Sequence, residues 1–260
     1  MATEKLIDEL RAAALEGPSD SVRLHDAKQN VAHSGEAVVG ELDPLLSDSS
    51  VDVREAAADV LEAVGSQSAY DKLVEFSLRH LEDPTHQTKF PGPGWKRLRR
   101  LGKPILAPMA RQYRSSLPND TRLAMIFITQ QIGATEGRPL IDRALTESDP
   151  AIIEAAGEAL GAVDGPGAYD RLLELLNSTN DRRRVGAVRG FERLGNTAAV
   201  RPLLQELISA NQPVPSSGTS SPEAAKSFRS LVADAIDAIT GESLRGDVRK
   251  IGDWLNARSI

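Results

Sequence analysis

The feature that most constrains this chain is that it repeats itself. Residues 53–75 (VREAAADVLEAVGSQSAYDKLVE) and 152–174 (IIEAAGEALGAVDGPGAYDRLLE) align without a gap at an offset of 99 residues. Glu55, Ala56, Ala57, Leu61, Ala63, Val64, Ala69, Tyr70, Asp71, Leu73 and Glu75 each meet the same residue type in the second copy. An offset of 99 is three units of about 33 residues, a period that belongs to repeats made of helix pairs. A further copy, RRVGAVRGFERLGNTAAVRPLLQEL, follows at an offset of 31 and puts Phe191, Leu194 and Leu203 on the places of Leu160, Val163 and Leu172. The stretch RLAMIFITQQIGATEGRPLIDRAL precedes it and ends the same way.

Each unit reads as two helices. Val53, Ala57, Val60, Leu61 and Val64 recur at the spacing of one helical face. Gly65, Gly133, Gly165 or Gly195 then breaks the pattern, and a second helix carries Tyr70, Leu73 and Val74, or Tyr169, Leu172, Leu173 and Leu176. Pro44, Pro104, Pro139 and Pro202 each stand just ahead of an apolar pair. Proline is tolerated in the first turn of a helix, where its missing N–H would have had no partner, so these four mark equivalent second helices. One such pair cannot bury both of its apolar faces, and stacking the pairs creates a continuous core. Aromatic residues are only 4% of the chain and apolar residues 40%, so that core is made mainly of Ala, Leu, Val and Ile. Small side chains of this kind suit closely packed helices better than sheets.

The segment SDSSVDVREAAADVLEAVG resembles the first helix of a HEAT repeat, of the short bacterial kind named after the phycobilisome lyases. Asp48, Val53, Arg54, Ala57, Leu61 and Gly65 carry the likeness. It covers 49–81 and 149–208 closely and 120–147 more loosely, and it fades over 1–48 and 84–119. The tail AIDAITGESLRGDVRKIGDWL is similar to the ends of other HEAT-like chains, where a Trp-bearing helix closes the stack. The resemblance implies an all-α, right-handed α-α superhelix, a HEAT-like solenoid of about six to seven helix pairs forming one domain over residues 1–260. Residues 1–18 are expected to be an N-terminal capping helix and 224–260 a C-terminal cap in which Trp254 covers the last repeat. The Ser- and Pro-rich stretch 209–223 is expected to be a loop.

Charge is distributed unevenly. The chain has 31 Lys plus Arg against 37 Asp plus Glu, a formal net charge of -6. From Pro84 to Asn119 there are eight bases and no acid, which leaves 23 bases against 37 acids elsewhere, a balance of -14. Lys89, Trp95, Lys96, Arg97, Arg99, Arg100, Lys103, Arg111 and Arg114 therefore form a candidate binding patch. If GWKRLRRLGK is helical, Trp95, Leu98 and Leu101 take its buried face, while Lys96, Arg97, Arg99, Arg100 and Lys103 spread over the exposed side. Such a cluster beside an aromatic ring suits a phosphate backbone, an acidic peptide or an acidic membrane surface. The alternative is intramolecular: acid-rich neighbouring repeats are neutralised by this one, and Trp95 and Tyr113 are core. A second basic run, Arg182, Arg183 and Arg184 followed by Arg189 and Arg193, reads as a helix start with Asp181 as partner or cap. Lys72, Arg138, Arg171 and Arg201 occupy related places on the second helices, which line the concave side of HEAT-like stacks. With Asp71, Glu75, Asp142, Asp170 and Glu174 beside them they make a mixed ladder that suits a protein partner better than a nucleic acid.

Catalytic patterns are absent from the sequence. The four histidines, His25, His33, His80 and His86, show no metal-binding spacing, and no His-Glu dipeptide of the iron-binding HEAT enzymes occurs. The glycines of GPGW and DGPGAY match no phosphate-binding loop. There is no cysteine, hence no disulfide or thiolate site. The N-terminus lacks the basic and apolar blocks of a signal peptide, and no apolar run is long enough to span a bilayer, so a cytoplasmic location is expected. Family resemblance keeps two enzymatic readings in view, a lyase that attaches or detaches bilins and a HEAT-like DNA glycosylase with a Trp-bearing basic face. No residue of this chain is assigned a catalytic role by motif. The expectation is a non-catalytic scaffold or adaptor that binds a protein or peptide and uses no cofactor. Its alternative is a polyanion-binding module.

Overall fold

In the computed structural model the chain is all-α. The structure describes residues 2–16, 21–81, 92–163, 165, 167–209 and 222–258, and among these there is no strand. The chain divides into two compact units, Met1–Gln112 and Tyr113–Ile260.

The first unit contains α1 (Ala2–Glu16), α2 (Val22–Ala32), α3 (Asp43–Leu46), α4 (Val51–Val64), α5 (Gln67–Arg79), α6 (Pro93–Leu101) and α7 (Leu106–Gln112). α1 and α2 pack on each other and on α4, and α5 packs on α4, α6 and α7. The face read from periodicity is the buried one: Val53, Ala57, Val60 and Leu61 are inaccessible, with Val64 at its edge. The second unit contains α8 (Asn119–Ile132), α9 (Arg138–Ala144), α10 (Pro150–Val163), α11 (Ala168–Leu176), α12 (Asp181–Leu194), α13 (Val200–Ser209), α14 (Pro222–Thr240) and α15 (Val248–Arg258). The first helices stack in order, α8 on α10, α10 on α12 and α12 on α14, while the second helices flank them. Each unit is thus a stack of packed helices. α15 packs on α13 with Trp254 buried.

The turns follow from local chemistry. Gly65, Gly133 and Gly195 end α4, α8 and α12 at φ of 62°, 64° and 64°. A residue with a Cβ is disfavoured there, and the Gly65 N–H closes the helix on Leu61 O. Pro44, Pro139 and Pro202 sit in the first turns of α3, α9 and α13, and Pro104 in the short 3-10 turn Lys103–Ile105 that leads into α7.

One contact in the second unit was not expected. Gly157 and Gly161 of α10 face Gly186 and Gly190 of α12. A Cβ on Gly157 would come within 2.8 Å of the Gly186 carbonyl carbon, and one on Gly161 would overlap the Gly190 carbonyl oxygen outright. Four glycines, each unfavourable in a helix by about 1 kcal/mol relative to Ala, are tolerated because they let two backbones touch.

Candidate binding surface

α6 begins where α5 ends, and the two termini satisfy each other. Gly92 N–H donates to Leu81 O at 2.8 Å and Gly94 N–H to His80 O at 2.8 Å. The amides that no helix can use internally thus meet carbonyls of the same kind. Gly94 is required at that junction, because a Cβ would stand 2.6 Å from His80 O and overlap Ser77 O. Pro93 at the first helical position supplies the fixed φ. GPGW is therefore a helix-to-helix splice rather than a loop alone. His80, stacked on Phe76 with centroids 4.8 Å apart, is held below the usual imidazole range by burial and by the Arg54 charge.

Trp95 and Leu98 face inward, at 6% and 0% exposure, and Leu101 packs against the core, as the helical spacing predicted. The sequence put Arg97 on the exposed side, and this is corrected: Arg97 is buried. Its NH2 group donates to Glu55 Oε2 at 2.5 Å, and its NH1 group donates to Asp59 Oδ1 at 2.9 Å and Glu62 Oε2 at 3.1 Å. Those three carboxylates lie one turn apart along α4, a row that a forked guanidinium can span. Burial disfavours the Arg97 charge, but the hydrogen bonds and charges of Glu55 and Asp59 outweigh it, and the guanidinium is held in its charged form above the usual range. Burial likewise raises Asp59, yet Lys28 at 2.8 Å and Arg97 outweigh it and bring its carboxyl below the usual range. Arg100 shares the Glu62 Oε2 atom with Arg97, at 2.5 Å.

The same device recurs one long repeat later. Glu55 and Asp59 correspond to Glu154 and Glu158 at the offset of 99. On α10 these accept Arg182 and Arg189 on Glu154, at 2.7 and 3.1 Å, and Arg193 on Glu158 at 3.1 Å. An acidic first helix is matched by arginines of a following helix in each unit. The cap of α12 is Asn180, whose Oδ1 accepts from Arg182 N and Arg183 N, while Asp181 pairs with Arg184.

The remaining predicted residues are scattered. Lys89 lies outside the described residues. Lys96 and Arg99 are exposed on α6 and make no ion pair among the described residues, Lys103 is exposed on the next turn, and Arg114 is exposed in the second unit. Arg111 grips Asp71 of α5 through both carboxylate oxygens at 2.8 and 2.9 Å. Of the ladder, Lys72 pairs with Asp43 at 2.5 Å, Arg138 with Asp142 at 2.9 Å and Arg171 with Glu174, and Arg201 is exposed. Lys72, Arg138 and Arg171 are thus each paired with a carboxylate of their own unit.

Sequence reasoning missed a polar cluster in the second unit. Buried Tyr113 donates to Glu147 Oε1 at 2.6 Å, and Glu147 pairs with Arg122, which also donates to Asn119. Asn119 donates to Asp149 at 2.5 Å, and Asp149 accepts the Ala151 and Ile152 N–H groups at the start of α10. Burial pushes the Tyr113 phenol up to about 12, and the Ile152 N–H holds the Asp149 carboxyl below its usual range. Its members are spread over 37 positions from 113 to 149 and share no motif, so no sequence signal marked them. No group of His, Asp and Glu among the described residues is arranged to hold a metal ion.

Residues 106–192 match the family described as HEAT repeats. No curated protein matches the sequence. Among solved structures, the complex of CpcE and CpcF of phycocyanin lyase from Nostoc sp. PCC7120 aligns with 98% of this chain and 95% of its own, at 20% identity and a TM-score of 0.38. No helix among the described residues is long and apolar enough to cross a membrane.

Proposed function

We propose that this protein is a scaffold or adaptor that binds another protein through the polar surfaces of its repeats, with the α6 region as a specialised contact. The observation that carries this reading is where the basic charge goes. Arg97, Arg100 and Arg111 are paired with the chain's own carboxylates, so the acid-free stretch is not one continuous positive surface. The second helices present acids and bases side by side. A surface of discrete, alternating charges matches a protein partner better than a uniformly charged nucleic-acid backbone. The buried positions of Trp95 and Tyr113 further weaken a polyanion reading, since stacking on bases requires accessible rings.

The test is site-specific photo-cross-linking. A cross-linking amino acid is placed in turn at Lys72, Arg99, Arg138, Arg171 and Arg201, and adducts are identified by mass spectrometry. The reading expects one protein to be captured from contiguous positions and to bind the purified chain with a dissociation constant unchanged by nuclease treatment. Adducts that disappear with nuclease, or that show no preference among the five positions, refute it.

A further inference from the structure

We infer that the outward stripe of α6, Lys96 with Arg99 and Arg100, docks an acidic helix of a partner protein whose carboxylates recur every three or four residues. This rests on the protein-binding reading above and names the partner's chemistry. Lys96, Arg99 and Arg100 are spaced at i, i+3 and i+4 and so lie one above another on a single face. Arg97 lies on another face and is turned inward, which separates the cations into an inner set and an outer set. The helix that displays them is fixed at its start by the α5 splice and along its inner face by Trp95 and Leu98. The stripe is therefore held in place before any partner arrives.

The chain itself shows what such a face binds. At two contacts here a basic helix meets carboxylates four residues apart on its neighbour: Glu55 with Asp59 on α4, Glu154 with Glu158 on α10. On α12, Arg182, Arg189 and Arg193 are all directed to α10. α6 differs. Its inner arginine answers α4, yet Lys96 and Arg99 face away, exposed and without an ion pair among the described residues. A second acidic helix laid over the outer face would repeat the geometry of the first. Arg100, already on Glu62, would join that pairing at the rim.

A polyanion fits less well. Glu55, Asp59 and Glu62 line the Arg97 side of α6, beside the stripe, and the whole chain carries -6. A phosphate backbone carries charge at every nucleotide and would bring some of it against those carboxylates, whereas a helix can place its acids over the cations alone.

The experiment is a fluorescence-anisotropy titration at low salt. The probes are a labelled amphipathic helical peptide with Glu at i and i+4, its Glu→Gln counterpart, and labelled single- and double-stranded DNA. The full chain is compared with Lys96→Ser/Arg99→Ser and with Arg249→Ser/Lys250→Ser, which removes the same charge from exposed sites on α15. Two exposed pairs contribute about five- to tenfold in affinity. The expected result is binding of the acidic peptide alone, weakened about five- to tenfold by the α6 variant and unchanged by the α15 variant. Charge reversal, Lys96→Glu/Arg99→Glu, should transfer binding to a peptide with Lys in place of Glu. Equal loss in both serine variants, tighter binding of DNA than of peptide, or no binding of the acidic peptide to the intact chain overturns the inference. Cross-linking at the second-helix positions then decides separately whether the scaffold reading survives.

Discussion

Removal of the Arg97 side chain should destabilise the first unit more than removal of any other basic residue of the 89–114 stretch. The guanidinium is 8% exposed and makes three hydrogen bonds to Glu55, Asp59 and Glu62. Breaking a buried ion pair by deleting one partner costs about 3–5 kcal/mol, because the other charge is left uncompensated. Here the carboxylates retain 30–38% exposure, so they regain water, and Lys28 and Arg100 remain beside them. That relief lowers the expected loss from Arg97→Ala to about 2–3 kcal/mol. For a cooperative transition of 150–250 residues, a loss of that size lowers the melting temperature by about 4–12 °C. Arg99→Ala, at an exposed position, should stay within about 0.5 kcal/mol of the parent. Thermal and urea unfolding followed by circular dichroism measure both. A double-mutant cycle with Glu55→Gln then isolates the pair, with a coupling of at least about 1 kcal/mol expected. The reasoning fails if Arg97→Ala and Arg99→Ala melt together, or if the coupling vanishes. Either result would mean that Arg97 is solvated like its neighbours.

The remaining predictions concern packing and protonation. Gly161→Ala should destabilise by about 2–3 kcal/mol through overlap with the Gly190 carbonyl, although Ala is the better helix former, and urea midpoints will show the sign. Asp149 has a folded-state pKa below its unfolded value, so its contribution is present above the unfolded pKa and lost as pH falls through the folded one; Asp149→Asn, which keeps the capping oxygen, should flatten the melting-temperature profile below pH 4. The Tyr113 phenol, raised to about 12, is neutral in the fold, so stability falls as pH climbs past the ordinary phenol value near 10, and absorbance titration at alkaline pH should lose its last step in Tyr113→Phe. That substitution should cost about 1 kcal/mol at neutral pH, because Glu147 keeps Arg122 when the phenol is gone.

Much of the fold was legible because its signals are local. The proline-led starts at 44, 104, 139 and 202 and the glycine stops at 65, 133 and 195 act within one helical turn. The apolar faces of α4 and α11 follow from spacing alone. The candidate surface was only half legible. A helical wheel marks Lys96, Arg99 and Arg100 as outward, but Arg97 stands at the border of the apolar face. Whether a border arginine is buried depends on which neighbour supplies carboxylates, and the row on α4 lies 35 to 42 residues away. The polar cluster around Glu147 was hidden for the same reason.

By itself the sequence determined that this protein is a stack of helix pairs, where several of those helices start and stop, and that one stretch is free of acid. Periodicity, caps and composition act over a few residues or repeat at a fixed interval, and both can be read along a line. Tertiary structure alone decided which charges are matched inside the chain and which stay exposed. It also decided that Gly157, Gly161, Gly186 and Gly190 are a contact between backbones rather than four weak points in two helices. Ion pairing and close approach depend on distances of a few ångströms between helices. Those distances are set only when the helices stack.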